Sequence, residues 1–214
     1  MAAPREELCP FCSGSAFFTE SDTTCCGSCR GKKFRFQKVI ALGPYRGRLR
    51  SRILLMKRQT TGEMAWALAR LLFYTRSEEF RAVDFDRVIP VPRYFLRRWT
   101  RGTNDAVFLA AEWARLLSAR FDGRSLRRIR STRSQASVRR EERVANVAGA
   151  FAVRISKSDK NRERPFEGER ILLADDILTT GATANEITRV LLEAGAESVT
   201  VAVCARAEGH VANR

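Results

Sequence analysis

The run Ile171-Leu172-Leu173-Ala174-Asp175-Asp176-Ile177-Leu178-Thr179-Thr180-Gly181-Ala182-Thr183 constrains this chain more than any other stretch. Its first four residues are apolar without a break and read as a short hydrophobic strand. Two acids stand at the carboxyl end of that strand. A turn of Thr and Gly then opens a helical pattern, 184–194, that stops at Gly195. Backbone N–H groups of such a turn, together with the helix dipole, form a cradle for a phosphate. The Thr hydroxyls add donors, and Gly181 allows close backbone approach. Carboxylates beside such a cradle can hold the vicinal hydroxyls of a sugar. Asp175 and Asp176 also suit a plain strand-end turn ahead of a helix cap.

The flanking sequence extends this unit. Residues 198–206 alternate Val199, Val201 and Val203, so strand, loop, helix and strand predict a right-handed βαβ crossover. Upstream, Met64, Ala67, Leu68, Leu71 and Leu72 follow helical spacing and predict an amphipathic helix over 61–73. A short buried strand over 87–91 is stopped by Pro90 and Pro92. Asn104 is placed to cap a helix whose Val107, Ala110, Ala111, Ala114 and Leu117 share one face. The polar segment 156–165 has no periodicity and reads as a surface insertion. Residues 37–214 therefore form one α/β domain, within the size of a single core.

Residues 1–36 have too few aliphatics to build a core of their own. Five of the six cysteines fall in residues 9–29. Cys9-Pro10-Phe11-Cys12 and Cys26-Gly27-Ser28-Cys29 are two C-x-x-C knuckles, which together offer four thiolates to one zinc ion in a closed, structural, tetrahedral site. A Cys25–Cys29 pairing is the alternative, although Cys26 gives the tighter knuckle. Cys204, inside an apolar strand, reads as a small buried hydrophobe rather than a nucleophile.

The net charge is +15, and nearly all the cations are Arg. The planar guanidinium fork pairs two-point with phosphate, so the bias favours phosphate-bearing partners, nucleotides or nucleic acid; a compositional bias of the genome is the other source of such an excess. Eight Arg fall in 124–143 with few aromatics among them, which favours phosphate contacts over base stacking. No run of about 18 apolar residues is present to span a bilayer, and residues 1–10 lack the apolar stretch of a signal peptide. The expected location is the cytoplasm, without membrane insertion.

The 171–183 string resembles the signature of the type I phosphoribosyltransferases, which bind 5-phosphoribosyl-1-pyrophosphate (PRPP) with magnesium. That resemblance implies a parallel sheet flanked by helices. It also implies that Asp175 and Asp176, the catalytic pair, contact the ribose hydroxyls while Thr179, Thr180, Gly181, Ala182 and Thr183 wrap the 5-phosphate. Chemistry in that family passes through an oxocarbenium-like ribose as pyrophosphate leaves, which calls for cations around the leaving group. The loop after Pro92, with Arg93, Arg97, Arg98 and Arg101, is the matching candidate; a solvated basic turn is the alternative.

The paired knuckles, Val88-Ile89-Pro90-Val91-Pro92, the Arg-Gly-x-Asn at 101–104, Tyr45, Lys57, Gln135, Arg143, Asn146 and Phe151 extend the likeness. With them, nearly the whole chain resembles the ComF family of competence-associated proteins, phosphoribosyltransferase-like proteins with an N-terminal zinc ribbon. Thr103 and Asp105 depart from the family's usual Phe and Gln, and an acid at 105 does not favour pyrophosphate. The resemblance implies a part in DNA uptake during natural transformation, through single-stranded DNA or competence-protein partners. An active phosphoribosyltransferase, moving phosphoribosyl to a nitrogen nucleophile, is the second reading, and a PRPP-sensing regulator the third. The single His, His210, reads as a tail residue and offers no evident general base.

Overall fold

The structure, a computed structural model, describes residues 5–9, 11–18, 25, 26, 29–92, 104–131, 142–154 and 164–207. In chain order its elements are β1 (Arg5–Leu8), β2 (Ser15–Phe18), β3 (Val39–Ala41), α1 (Gly47–Met56), α2 (Glu63–Thr75), α3 (Ser77–Arg81), β4 (Arg87–Pro90), α4 (Asp105–Leu117), β5 (Arg120–Phe121), β6 (Leu126–Arg128), α5 (Arg143–Val147), β7 (Phe151–Val153), β8 (Arg170–Leu178), α6 (Ala182–Glu193) and β9 (Ser198–Arg206).

Pleating sends alternate residues of β8 and β9 to opposite faces, and both faces are covered. Ile171, Leu173, Val199, Val201 and Val203 share one buried cluster with Ile187 and Leu191 of α6. Leu172, Ala174, Ala202 and Cys204 join the other, with Leu68 and Leu72 of α2 and Leu109 and Trp113 of α4. The strands pair in the order β3-β9-β8-β4-β5, all parallel. The small antiparallel pairs β1–β2 and β6–β7 stand apart from that sheet.

The helix faces differ in phase from the sequence pattern. On α2 the buried residues are Ala65, Leu68, Ala69, Leu72 and Phe73, while Leu71 is 51% exposed. On α4 they include Ala106, Leu109, Ala110, Trp113 and Ala114, whereas Val107, Ala111 and Leu117 are only half-buried. Alanines bring the two helices close, so the indole Nε1 of Trp113 reaches the backbone oxygen of Ala69 at 3.0 Å. Close approach at small residues, rather than the bulk of the largest side chains, selects the facing stripe. Asn104 takes the N-cap position of α4 but makes no side-chain cap bond. Its Nδ2 donates instead to Val91 O (3.1 Å), just past the end of β4.

At the amino end of the sheet, Arg87 is 5% exposed. Its Nη1 donates to Asp122 Oδ2 (2.8 Å), and its Nε and Nη2 make a two-point contact with Glu169 (2.5 Å each). Its guanidinium also lies 4.9 Å over the ring of Phe166. Among the described residues no helix is long and apolar enough to cross a membrane.

Candidate functional site

Strand β8 runs four residues past the apolar stretch read from the sequence. Asp175, Ile177 and Leu178 pair with Val203, Ala205 and Arg206 of the equally long β9, so the two acids lie inside the strand rather than beyond it. Gly181 then takes φ 81°, a left-handed conformation that favours glycine, and starts α6. Asn185 N donates to Gly181 O at 2.8 Å, which closes the first turn of the helix. Ala182 N makes only a long contact (3.4 Å) with Thr180 Oγ1.

A cavity of about 470 Å³ opens at this carboxyl end of the sheet, within the range of small-ligand sites. Asp175, Asp176, Thr179, Gly181 and Thr183 line it. Thr180 and Ala182 are not among the lining residues. Arg97, Arg98 and Arg101 lie outside the described residues, as do His210, residues 132–141 and residues 155–163. Asp105 is 3% exposed and does not line the cavity; in the first turn of α4 it suits the positive end of the helix dipole.

Three lining side chains went unassigned in the sequence reading as parts of this wall. Tyr45 and Lys57, which flank α1, both line the cavity. Lys57 Nζ stands 2.5 Å from Asp176 Oδ2, a partly buried ion pair. Arg128 of β6 lines the cavity with its guanidinium 5.5 Å over the ring of Phe151. In the sequence it was one of many Arg in 124–143, and only the β6–β7 pairing singles it out. Residues 23–62 hold eleven Lys or Arg and no acid, and they include all of α1. Arg48, Arg50 and Arg52 of that helix are exposed.

The sulfurs of Cys9, Cys12, Cys26 and Cys29 all lie within 4.8 Å of one another, and all four residues are buried. A tetrahedron of Zn–S bonds near 2.3 Å needs sulfurs about 3.8 Å apart, so the donor set fits a zinc module. Cys12 and Cys26 sulfurs approach to 3.5 Å, and Cys26 N donates to Cys9 Sγ at 3.3 Å. Cys25 is half-buried and outside the group. A hydrogen bond from Cys29 draws the Cys12 thiol down to about 4, and the charge of Arg206 acts in the same direction. Burial pushes Cys26 up to about 11. Binding of zinc requires all four thiols to give up their protons. Cys204 is fully buried, and burial first, then the neighbouring carboxylates Asp176 and Asp175, raises its pKa, which suits a small hydrophobe and not a nucleophile.

A family model for the phosphoribosyl transferase domain matches residues 104–212. Competence protein F of Haemophilus influenzae is 30% identical over 201 residues, which cover 92% of this chain and 85% of that protein. The chain belongs to the ComF family. DNA utilization protein YhgH of Escherichia coli is 32% identical over 203 residues, 94% of this chain and 84% of that protein. Among solved structures, purine phosphoribosyltransferase from Pyrococcus horikoshii aligns at TM-score 0.38 and 13% identity, over 67% of this chain and 85% of that one. In this ComF-family chain the phosphoribosyl transferase match takes in the whole β8–α6–β9 unit, and the four gathered cysteines precede it.

Proposed function

We propose that the cavity binds PRPP, or a closely related sugar phosphate, with magnesium, and that the protein serves DNA uptake through single-stranded DNA or competence-protein partners in the cytoplasm. One observation carries the reading: two carboxylates, Asp175 and Asp176, share a single cavity with the turn at the N-terminus of α6. Carboxylates suit vicinal hydroxyls, and the turn suits a phosphate. In this reading Asp175 and Asp176 hold the ribose. Thr179, Thr180, Gly181, Ala182 and Thr183 surround the 5-phosphate, and Lys57, Arg128, Arg97, Arg98 and Arg101 meet the pyrophosphate. Bound magnesium would neutralise part of the pyrophosphate charge. Zinc in the four-cysteine site is structural, since four protein sulfurs leave no open position.

The names of the two relatives support the DNA role, as does the acid-free stretch 23–62, of which Tyr45 and Lys57 line the cavity. An exposed arginine face without acids suits a phosphodiester backbone, and affinity dominated by such contacts falls steeply with salt.

Thermal unfolding with PRPP and magnesium tests the reading. At a hundredfold excess over Kd the melting temperature should rise by about 5 °C or more. The rise should vanish in Asp175→Asn combined with Asp176→Asn. No shift in the wild-type protein would overturn the assignment. Release of pyrophosphate with a nitrogen acceptor, lost in Asp175→Asn, would move the protein to the second reading, a working phosphoribosyltransferase. For the DNA role, fluorescence anisotropy with a labelled single strand should show binding that Arg48→Glu with Arg52→Glu weakens. Binding indifferent to both salt and those charges would remove that part.

A further inference from the structure

The cysteine module and the phosphate loop touch at both ends of the loop. At the Leu178 end, Arg206 is 4% exposed and its Nη1 donates to Leu178 O at 3.1 Å. The other flank of that side chain is the module: a Cβ on Gly14 would stand 3.4 Å from Arg206 Cγ and 3.3 Å from Cys12 Sγ. Arg206 Nε has no hydrogen-bond partner among the described residues, although the atom is buried. Four thiolates around a divalent ion carry a net charge of about −2, and a buried guanidinium alongside offsets it.

At the Gly181 end the contact is aromatic. Phe11, between Cys9 and Cys12, stacks with Phe34 and Phe36 at centroid distances of 5.6 Å, and those two rings stand 4.9 Å apart. A Cβ on Gly181 would lie 3.0 Å from Phe34 Cε1. Next to it, Arg35 N donates to Asn185 Oδ1 (2.6 Å) in the first turn of α6. Leu178 and Gly181 are thus braced by the cysteine module from two directions, and the loop 179–183 assigned above to the phosphate begins between them.

The geometry points to Arg206 and Phe34 as positioning residues that couple the four-cysteine centre to the phosphate loop, so that metal occupancy and sugar-phosphate affinity support one another. The inference rests on the phosphate-site reading above. Without the ion, the module has no aliphatic core to keep its shape, and both braces loosen. A loop free to sample other turns binds its ligand only in the fraction of molecules that hold the cradle. Reciprocity follows: a ligand that favours the braced loop must also favour the loaded module.

The test uses the full-length, zinc-loaded protein and isothermal titration with PRPP and magnesium. Phe34→Ala and Arg206→Met should keep one zinc per chain by elemental analysis and an unchanged far-ultraviolet circular dichroism spectrum, yet lose about tenfold in affinity. Arg206→Lys, which keeps the charge, should recover part of the loss. Independently, release of zinc to a chromophoric chelator should slow in ribose 5-phosphate, itself a poor zinc ligand. Should Arg206→Met fail to fold, Phe34→Ala and the release rate still decide. Wild-type affinity in the variants, or a release rate indifferent to ribose 5-phosphate, overturns the coupling alone. Failure of the zinc-loaded wild type to bind either ligand overturns the phosphate site and the coupling with it.

Discussion

Two glycines separate the demands of stability from those of the site. Gly181 and Gly62 both hold left-handed backbone, at φ 81° and 79°, where an L side chain costs about 1–3 kcal/mol. Their surroundings differ. A Cβ on Gly62 would come within 2.6 Å of the ring of Phe108, which does not line the cavity, while one on Gly181, itself a lining residue, would press on Phe34 at 3.0 Å. Gly62→Ala should therefore lower the urea midpoint and leave PRPP affinity within about twofold, within the small coupling of distant sites. Gly181→Ala should lose affinity by more than its stability loss accounts for. Equal effects of the two on binding, read by titration calorimetry, would contradict this division.

Among elements, β4 shows how the two ends of one strand divide the work. Its carboxyl end leads to Val91 and Pro92 on the cavity wall, and its amino end holds Arg87 between Asp122 and Glu169. Arg87→Met removes the partner of a buried carboxylate, Asp122, and of the partly buried Glu169, a loss of about 3–5 kcal/mol. The expected outcome is a large fall in the urea midpoint with PRPP affinity unchanged in the molecules that remain folded. The sequence announced β4 through its apolar run and prolines but not this triad, because Arg87, Asp122 and Glu169 are brought together only by the parallel pairing of β4 with β5 and β8. Likewise the existence of α2 and α4 was legible, while their facing stripes were legible only in part: Leu68, Leu72, Ala110 and Ala114 are buried as their spacing predicts. Ala65, Ala69 and Ala106 carry little weight in a hydrophobic pattern, yet they too are buried. The β8–α6–β9 unit was read closely because its signals are local: an apolar run, a glycine turn and a periodic helix.

For the molecule as a whole, acid sensitivity follows from carboxylates placed against arginines. A hydrogen bond from Arg115, helped by Arg70 and opposed by burial, holds Glu112 down at about 2. Burial pushes Asp122 up, yet bonds from Ser125, Arg124 and Arg87 outweigh it and leave its pKa lowered. A lowered folded-state pKa adds stability that is fully present above the ordinary carboxylate value, 4.5 for glutamate, and is lost as pH falls toward 2. The urea midpoint should fall across that window, and the difference between wild type and Glu112→Gln should shrink with it. A constant difference down to pH 2 would contradict the assignment. The cavity lining was legible where its residues lie together in sequence, as Asp175, Asp176, Thr179, Gly181 and Thr183 do, and so was the gathering of the four cysteines of the two knuckles. Tyr45 and Lys57, which flank α1, and Arg128 of β6 lie far along the chain from Asp175, and only the folded chain brings them to the cavity. One consequence concerns the contact between Lys57 and Asp176. A newcomer that draws on Asp176 competes with the ammonium for that carboxylate, and a neutral sugar offers the ammonium no charge in exchange. A phosphorylated one brings a second anion to receive it, so the exchange of partners itself selects between the two.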